Sequence, residues 1–183
     1  MLRCKRDLRK TTANSDKLET QEGVIVKRHV WLLVLLTVLL TLGGCTARPV
    51  APAAPTIHFG EDMCSDCGMI INEPRFAAAY AAQQGEGSYQ TFIFDDIGDM
   101  LRHMQQNTTL TGAGWWVHDY DSEEWIDATT AFYVVSDQIK TPMNHGIAAF
   151  SAEDAANTLA AEVGGDVLDW DKVRAMQIMT KHM

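Results

Sequence analysis

The chain has 183 residues and a formal net charge of −9 at pH 7. Eight of its 15 basic residues and four of its 24 acidic residues lie in residues 1–44, so residues 45–183 carry seven basic and 20 acidic residues and a formal charge of −13. This second part has 139 residues (183 less 44), which suits one domain of ordinary size. Its acidity argues against electrostatic binding to nucleic acid or anionic lipid, and we predict no nucleic-acid partner.

The N-terminal part has the order of features found in a secretory signal. Lys27 and Arg28 precede residues 30–42, an uncharged run of thirteen residues that is too short for a membrane-spanning helix of about 20 residues. A leucine and two glycines stand directly before Cys45, a pattern that resembles the lipobox cut by lipoprotein signal peptidase. We therefore predict that residues 1–44 are a signal peptide and that Cys45 becomes a lipid-modified N-terminus, with acyl chains as the membrane anchor.

The rest of the chain is predicted to contain a spacer and one folded domain. Residues 45–56 form the lipidated N-terminus and spacer, because three prolines stand among alanines without hydrophobic periodicity. The folded domain covers residues 57–183. We predict an α+β fold of two ββα units, in which each antiparallel sheet packs on a helix.

The first unit is predicted from two strands, at residues 75–83 and Ser88–Phe94, joined by a glycine-bearing turn. Asp95 or Asp96 suits the N-cap of a following helix. The spacing of the apolar residues assigns the two methionines of this helix to the core. The predicted apolar face consists of Ile97, Met100, Leu101 and Met104.

The second unit is predicted to follow the same plan. A helix begins at a cap formed by Ser151, ends at Val163 and has Gly164 at its C-cap. A last helical segment, 170–179, is predicted with Asp169 as its cap. The strands of this unit are predicted at residues 115–120, Phe132–Val135 and 146–150.

Two cysteines carry the most informative chemistry. Cys4 leaves with the signal peptide and Cys45 is lipidated, so Cys64 and Cys67 remain as thiols, with methionines at positions 63 and 69. Clustered thiolate and thioether sulfur favours copper(I) over hard cations. The pair of cysteines alone also fits a structural disulfide, a redox pair or part of a zinc site.

A second sulfur lies in a turn-rich segment far along the chain. Residues 141–146 read Thr-Pro-Met-Asn-His-Gly and place Met143 and His145 two residues apart. Both side chains are candidate metal ligands. Considered alone, a loop methionine and a loop histidine are weak signals.

Several short motifs together resemble the NosL family. They occur in a consistent order over about residues 58–163. NosL proteins are lipoproteins that act as copper chaperones for the assembly of nitrous-oxide reductase, and their fold is similar to two ββα units related to a domain of organomercurial lyase. Besides the lipobox, the motifs lie at residues 64–69, 94–98, 116–120, 125–126, 131–134 and 141–143.

The resemblance implies a ligand set for copper(I). The family's Cys-Gly-Met element corresponds to Cys67 and Met69 with a glycine between them, and Met143 matches the family's Thr-Pro-Met loop. Cys64 is either a second ligand or a bystander, because the first cysteine is not a universal family feature. His145 follows Met143 closely and is a further candidate ligand.

The resemblance also implies a function, which we predict to be metal delivery rather than catalysis. The protein would be exported, lipid-anchored to the outer membrane and facing the periplasm, and would hand copper to nitrous-oxide reductase or its membrane maturation complex. Two alternatives stay open. One is an organomercurial-lyase-like or thiol-redox enzyme, which would turn over a substrate without copper; the other is a binding module stapled by a disulfide.

Overall fold

A computed structural model of the chain describes residues 51–178. The predicted signal peptide, the lipidation site Cys45 and residues 179–183 lie outside this range. Residues 51–56, the described part of the predicted spacer, form no helix or strand. Within the described range, no helix has the length and apolar character needed to cross a membrane.

The first sheet has four antiparallel strands and carries one helix. Strands β1 (Ala78–Gly85) and β2 (Ser88–Phe94) form a hairpin, which leads into helix α1 (Ile97–Gln106). Strands β3 (Gly112–His118) and β4 (Trp125–Asp127) complete the sheet in the order β2-β1-β3-β4. The first five residues of β1 are fully buried, which places this strand at the centre of the fold.

The second sheet has three antiparallel strands and repeats the same arrangement. Strands β5 (Phe132–Val135) and β6 (Ile147–Phe150) form a pair, and helix α2 (Glu153–Val163) follows. Strand β7 (Asp166–Leu168) then pairs with the other side of β5, which gives the order β6-β5-β7. Helix α3 (Trp170–Ala175) comes last and contacts β5.

The two units share a connection that was predicted for neither of them. In each unit the strand after the helix returns to pair with the first strand, as β3 does with β1 and β7 with β5. Strand β3 was predicted in the second unit, but Tyr80 lies opposite Trp115 in the first sheet. The α+β prediction itself, with antiparallel sheets each packed on a helix, is confirmed.

Several predicted boundaries also differ from the structure. Pro74–Phe76 is a 3-10 turn, so β1 begins at Ala78 rather than at residue 75. Ser151 does not cap α2, because the N-cap is Ala152 and the Ser151 N–H donates to Asp119 Oδ2 at 2.7 Å. Strands β4 and β7 were not predicted, since three residues are too short for a periodic pattern. Helix α3 is shorter than the predicted segment.

The larger of two core clusters joins the first sheet and α1 to strands β5 and β6 and to helix α3. Phe94 ends β2 and Phe150 ends β6, and each is buried directly before a helix. Met100 is fully buried, and Met104 packs against the same cluster, which confirms the assignment of both to the core. Asp96 is confirmed as the N-cap of α1, since its carboxylate accepts from Gly98 N at 2.8 Å.

Candidate metal centre

The cysteine loop, residues 64–69, is a tight turn at the tip of a small hairpin. Met63 and Ile70 form an isolated antiparallel bridge at its base. Cys64 N donates to the carbonyl of Met69 at 2.8 Å, and Gly68 N donates to the carbonyl of Cys64 at 3.0 Å. Gly68 has φ +73°, a left-handed conformation that glycine adopts without steric cost. The turn therefore holds two cysteines and a methionine on one short stretch of backbone.

The edge of the first sheet fixes the position of this loop. Ser65 N donates to the carbonyl of Ile93 in β2 at 2.8 Å, and Ile93 N donates back to Ser65 Oγ at 3.1 Å. Cys64 is buried in the main core, whereas Cys67 is half-buried and Met69 is 51% exposed. The sulfur atoms therefore range from buried to open along the loop.

Both thiols face the same carboxylate. The Sγ atoms of Cys64 and Cys67 and a carboxylate oxygen of Asp99 all lie within 4.8 Å of one another. Both cysteines are free thiols, and Cys64 Sγ donates to Asp99 Oδ2 at 3.4 Å. These three groups are close enough to share one small ion.

Burial controls the protonation of the thiols. Desolvation raises the pKa of Cys64, and it raises the pKa of Cys67 to about 12. Both side chains are therefore neutral thiols near pH 7 in the metal-free protein. Because the thiolate is the form that binds metal, each cysteine that becomes a ligand must release a proton.

Asp99 is fully buried and remains ionised. Burial alone would raise its pKa, but a hydrogen bond from His145 and the charge of Arg102 outweigh this effect and lower the pKa below its usual value. Arg102 Nη2 lies 2.8 Å from Asp99 Oδ1, and His145 Nε2 lies 3.1 Å from the same oxygen. A charged carboxylate without such partners would be costly at this depth.

The methionine loop, residues 141–146, docks on the first turn of α1. Asp96 Oδ2 accepts hydrogen bonds from the Thr141 hydroxyl and from Met143 N, the latter at 3.0 Å. The Thr141 hydroxyl oxygen in turn accepts from His145 N at 3.0 Å. Burial raises the pKa of Asp96, and these hydrogen bonds offset only part of that increase. Asp96 thus holds the methionine loop, while Asp99, one turn along, faces the cysteine loop.

The five predicted ligands differ in their burial and in the contacts that they make. Cys64 and Cys67 converge on Asp99, whereas Met69 is exposed beside them. Met143 is half-buried, with its backbone tied to α1. His145 Nε2 lies 3.1 Å from Asp99 Oδ1 and 3.2 Å from Arg102 Nη1, so this nitrogen would have to leave both contacts to bind a metal.

Three charged residues at the site were not singled out from the sequence. They are Asp66, Asp99 and Arg102, joined in one buried network. The i, i+3 spacing of an aspartate and an arginine on α1 was a visible signal for an ion pair. Their connection to Asp66, 36 residues away, has no local signature.

Three other histidines have partners outside this site. His103 Nδ1 lies 2.9 Å from the Tyr80 hydroxyl, and His118 Nδ1 lies 2.6 Å from the carbonyl of Pro74. His58 pairs with Asp62 near the surface. These contacts account for the three side chains without a metal.

Comparison with known proteins decides the family. The family model described as NosL matches residues 56–178, which include both loops. The chain belongs to the NosL family. The copper-binding lipoprotein NosL of Stutzerimonas stutzeri is 30% identical over 154 residues, which cover 76% of this chain and 78% of that protein. The resemblance inferred from the motifs is therefore confirmed.

A solved NosL structure shares the fold. The crystal structure of the copper chaperone NosL from Shewanella denitrificans matches with a TM-score of 0.57 at 20% identity. The match covers 68% of this chain and 98% of that one. At this identity the likeness shows the α+β fold, and the ligand roles within it depend on the residues of this chain.

Proposed function

We propose that this NosL-family chain is a lipid-anchored copper(I) chaperone that delivers copper for the assembly of nitrous-oxide reductase. The names of its relatives support the copper and lipoprotein parts of this proposal. The receiver would be nitrous-oxide reductase itself or its membrane maturation complex. The chain would carry the metal as cargo and would not act as an enzyme.

The observation that carries the proposal is the grouping of soft donors at one turn. Two thiols lie within 4.8 Å of each other, and the methionine that follows them is on the surface. Thiolate and thioether ligands bind copper(I) well and oxygen-preferring cations poorly. Met143 would complete the site from the second loop, and His145 is the less favoured donor because its Nε2 is already engaged.

The gradient of burial suits a protein that must release its metal. Cys64 is 3% exposed and Met69 is 51% exposed, with Cys67 between them. A ligand of the receiver could approach from the methionine side and bind copper before the inner thiolates dissociate from it. Transfer of this kind never leaves the ion free, which lowers the barrier to exchange.

Export and anchoring form the second part of the proposal. The predicted signal peptide and Cys45 would place the domain on the periplasmic face of the outer membrane. The spacer of residues 45–56 would hold it off the lipid surface. The acidic domain would not be drawn to anionic lipid, so the acyl chains would provide the attachment.

Metal titration tests the copper part. Reduced protein covering residues 46–183, kept free of oxygen, is titrated with copper(I) against a competing chelator, and zinc(II) is tested in parallel. We expect copper(I) to bind far more tightly than zinc(II). Comparable affinity for both ions, or no copper binding, would reject the chaperone and favour a structural site.

The closeness of the two thiols supports two alternatives, a redox pair and a disulfide staple. A thiol count of the protein purified without reductant separates the cases. A stable Cys64–Cys67 disulfide that forms readily and leaves copper without effect would favour the staple. Catalytic thiol exchange in the absence of copper would favour an enzyme.

A further inference from the structure

Arg102 lies where three segments of the site meet. Its Nε and Nη2 both donate to Asp66 in the cysteine loop, with Nε at 2.8 Å from Oδ2. Nη2 also donates to Asp99 on the same helix at 2.8 Å. Nη1 lies 3.2 Å from His145 Nε2 in the methionine loop. One guanidinium therefore contacts both ligand-bearing loops and the helix between them.

His145 connects the methionine loop to Arg102 through Asp99. The ring Nε2 donates to Asp99 Oδ1 at 3.1 Å, and Arg102 Nη2 donates to the same oxygen. Arg102 therefore acts on the methionine loop through the carboxylate that it shares with His145. The ring also packs closely on the backbone of α1, since a Cβ added at Gly98 would lie 2.3 Å from it.

The ion pairs of Arg102 are shielded from water. Its side chain is 11% exposed, that of Asp66 is 8% exposed and that of Asp99 is fully buried. Among residues 51–178, Arg102 is the one basic residue, arginine or lysine, that forms an ion pair with the cysteine loop. Salt screens such buried pairs weakly, so the contacts persist under ordinary conditions.

We propose that Arg102 is the positioning residue of the copper site, which locks the cysteine loop and the methionine loop onto α1 before the metal arrives. This inference rests on the proposed copper function. A planar guanidinium can serve several acceptors at fixed angles, which the single ammonium of a lysine cannot do. Preformed loops spare the metal the entropic cost of ordering them, so the loss of the lock weakens binding.

Two substitutions distinguish the positioning role of Arg102 from a contribution to the stability of the fold, and two further variants serve as comparisons. Arg102→Met removes every polar contact of the guanidinium. Asp66→Asn removes only the charged tie to the cysteine loop and leaves Asp99 paired, so it keeps the test valid where Arg102→Met fails to fold. Arg102→Lys retains the positive charge but lacks the planar set of N–H donors of the guanidinium. Arg75→Met is the matched control, because Arg75 also forms a long-range pair, with Glu123 at 2.9 Å, away from the site.

The measurements are copper(I) affinity by chelator competition, thermal stability of the metal-free protein, and amide hydrogen exchange. We expect Arg102→Met to weaken copper(I) binding about tenfold, and Asp66→Asn to weaken it less. Arg102→Lys should restore only part of the affinity. The double variant, Arg102→Met with Asp66→Asn, should bind copper(I) no more weakly than Arg102→Met alone, because both changes remove the same contact between Arg102 and Asp66. Arg75→Met should bind like the parent.

Hydrogen exchange gives the readout that a general loss of stability would not produce. In Arg102→Met and Asp66→Asn, we expect faster exchange at Cys64, Ser65 and Gly68, whose amides hydrogen-bond within or beside the loop. Exchange in strand β1, which is paired with β2 on one side and β3 on the other, should not change. Exchange that rises uniformly would assign Arg102 a role in stability alone and overturn the inference.

The two proposals fail in different ways. A parent protein that binds no copper(I) overturns the copper function and the positioning role together. If the parent binds copper(I) and both Arg102→Met and Asp66→Asn bind it with the affinity of the parent, only the positioning role is overturned.

Discussion

Cys67 and Met69 are separated by one glycine, yet they differ sharply in environment. The thiol of Cys67 is half-buried beside Asp99, whereas Met69 projects from the surface. Cys64 is deeper still and shares the same carboxylate. Under the proposed function, copper would lie between the two thiols and would be reached from the methionine side.

The first prediction ranks the ligands. Cys67→Ser should lower copper(I) affinity most, because it removes a charged soft donor. Met69→Leu and Met143→Leu should weaken binding less, since each removes a neutral donor and costs the fold less than about 1.5 kcal/mol. Cys64→Ser should be as severe as Cys67→Ser if copper lies between the sulfurs. Chelator competition, with thermal stability recorded alongside, measures these effects.

A methionine outside the site provides the control for this series. Met104 packs on the core, so Met104→Leu should leave copper affinity unchanged. Parent-like binding by both Met69→Leu and Met143→Leu, with loss in both cysteine variants, would identify a two-cysteine clamp and reject the cross-loop site. A mild effect of Cys64→Ser would make that thiol peripheral.

The second prediction concerns pH. Since burial raises the pKa of both thiols, that of Cys67 to about 12, both are protonated below pH 8 in the metal-free protein. Binding must release one proton for each thiolate ligand, so affinity falls as pH falls. We expect a decrease of about tenfold per pH unit for one thiolate and about a hundredfold for two. Copper(I) titrations between pH 6 and 8 measure this slope, and an affinity independent of pH would exclude thiolate ligation.

At the scale of the element, the first turn of α1 organises the site. Asp96 holds the methionine loop and Asp99 faces the cysteine loop. The two carboxylates are three residues apart, so they lie on the same side of the helix. A change in this turn should therefore affect both loops, although it contains none of the predicted sulfur ligands.

The third prediction tests the close packing on this turn. Alanine is usually better than glycine in a helix by about 1 kcal/mol. At Gly98, however, the added Cβ would lie 2.3–2.5 Å from the ring of His145. Gly98→Ala should therefore destabilise the protein by about 1–3 kcal/mol in urea unfolding.

Gly85 provides the comparison, because a Cβ there would meet nothing within 4 Å. Gly85→Ala should change the free energy of unfolding by about 0.5 kcal/mol or less. If Gly98→Ala proves as stable as the parent, the methionine loop does not pack on α1 as described.

At the scale of the whole molecule, the acidic domain and the predicted lipid anchor would have separate roles. Residues 45–183 carry a formal charge of −13, which gives them no electrostatic attraction to an anionic membrane. Membrane attachment would then depend on Cys45 alone. The signal peptide and the lipidation site stay predictions, since both lie outside residues 51–178.

The fourth prediction concerns this anchor. Cys45→Ser should abolish lipid labelling in cells and leave either unprocessed precursor or a soluble form, because the modified thiol is gone. Fractionation with radiolabelled palmitate measures the effect, and Cys4→Ser should label like the parent. Normal lipid incorporation by Cys45→Ser would exclude the lipoprotein assignment.

The sequence by itself determined the features that depend on neighbouring residues. Strand Ser88–Phe94, an N-cap at Asp95 or Asp96, the Gly164 cap with φ +64° and the buried Met100 all follow from local periodicity and capping chemistry. The structure then selects Asp96 as the cap. The sulfur-rich turn was equally visible, because its donors lie within seven residues. The motifs were specific enough to indicate the family.

Only the tertiary structure decided which distant segments meet. The pairing of β3 with β1 brings the strand after α1 back to the first sheet, which no local pattern specifies. The contact of Arg102 with Asp66 spans 36 residues and that of His145 with Asp99 spans 46. Contacts of this range form because the packing of α1 against the sheet brings their backbones together, so their chemistry is hidden until the chain is folded.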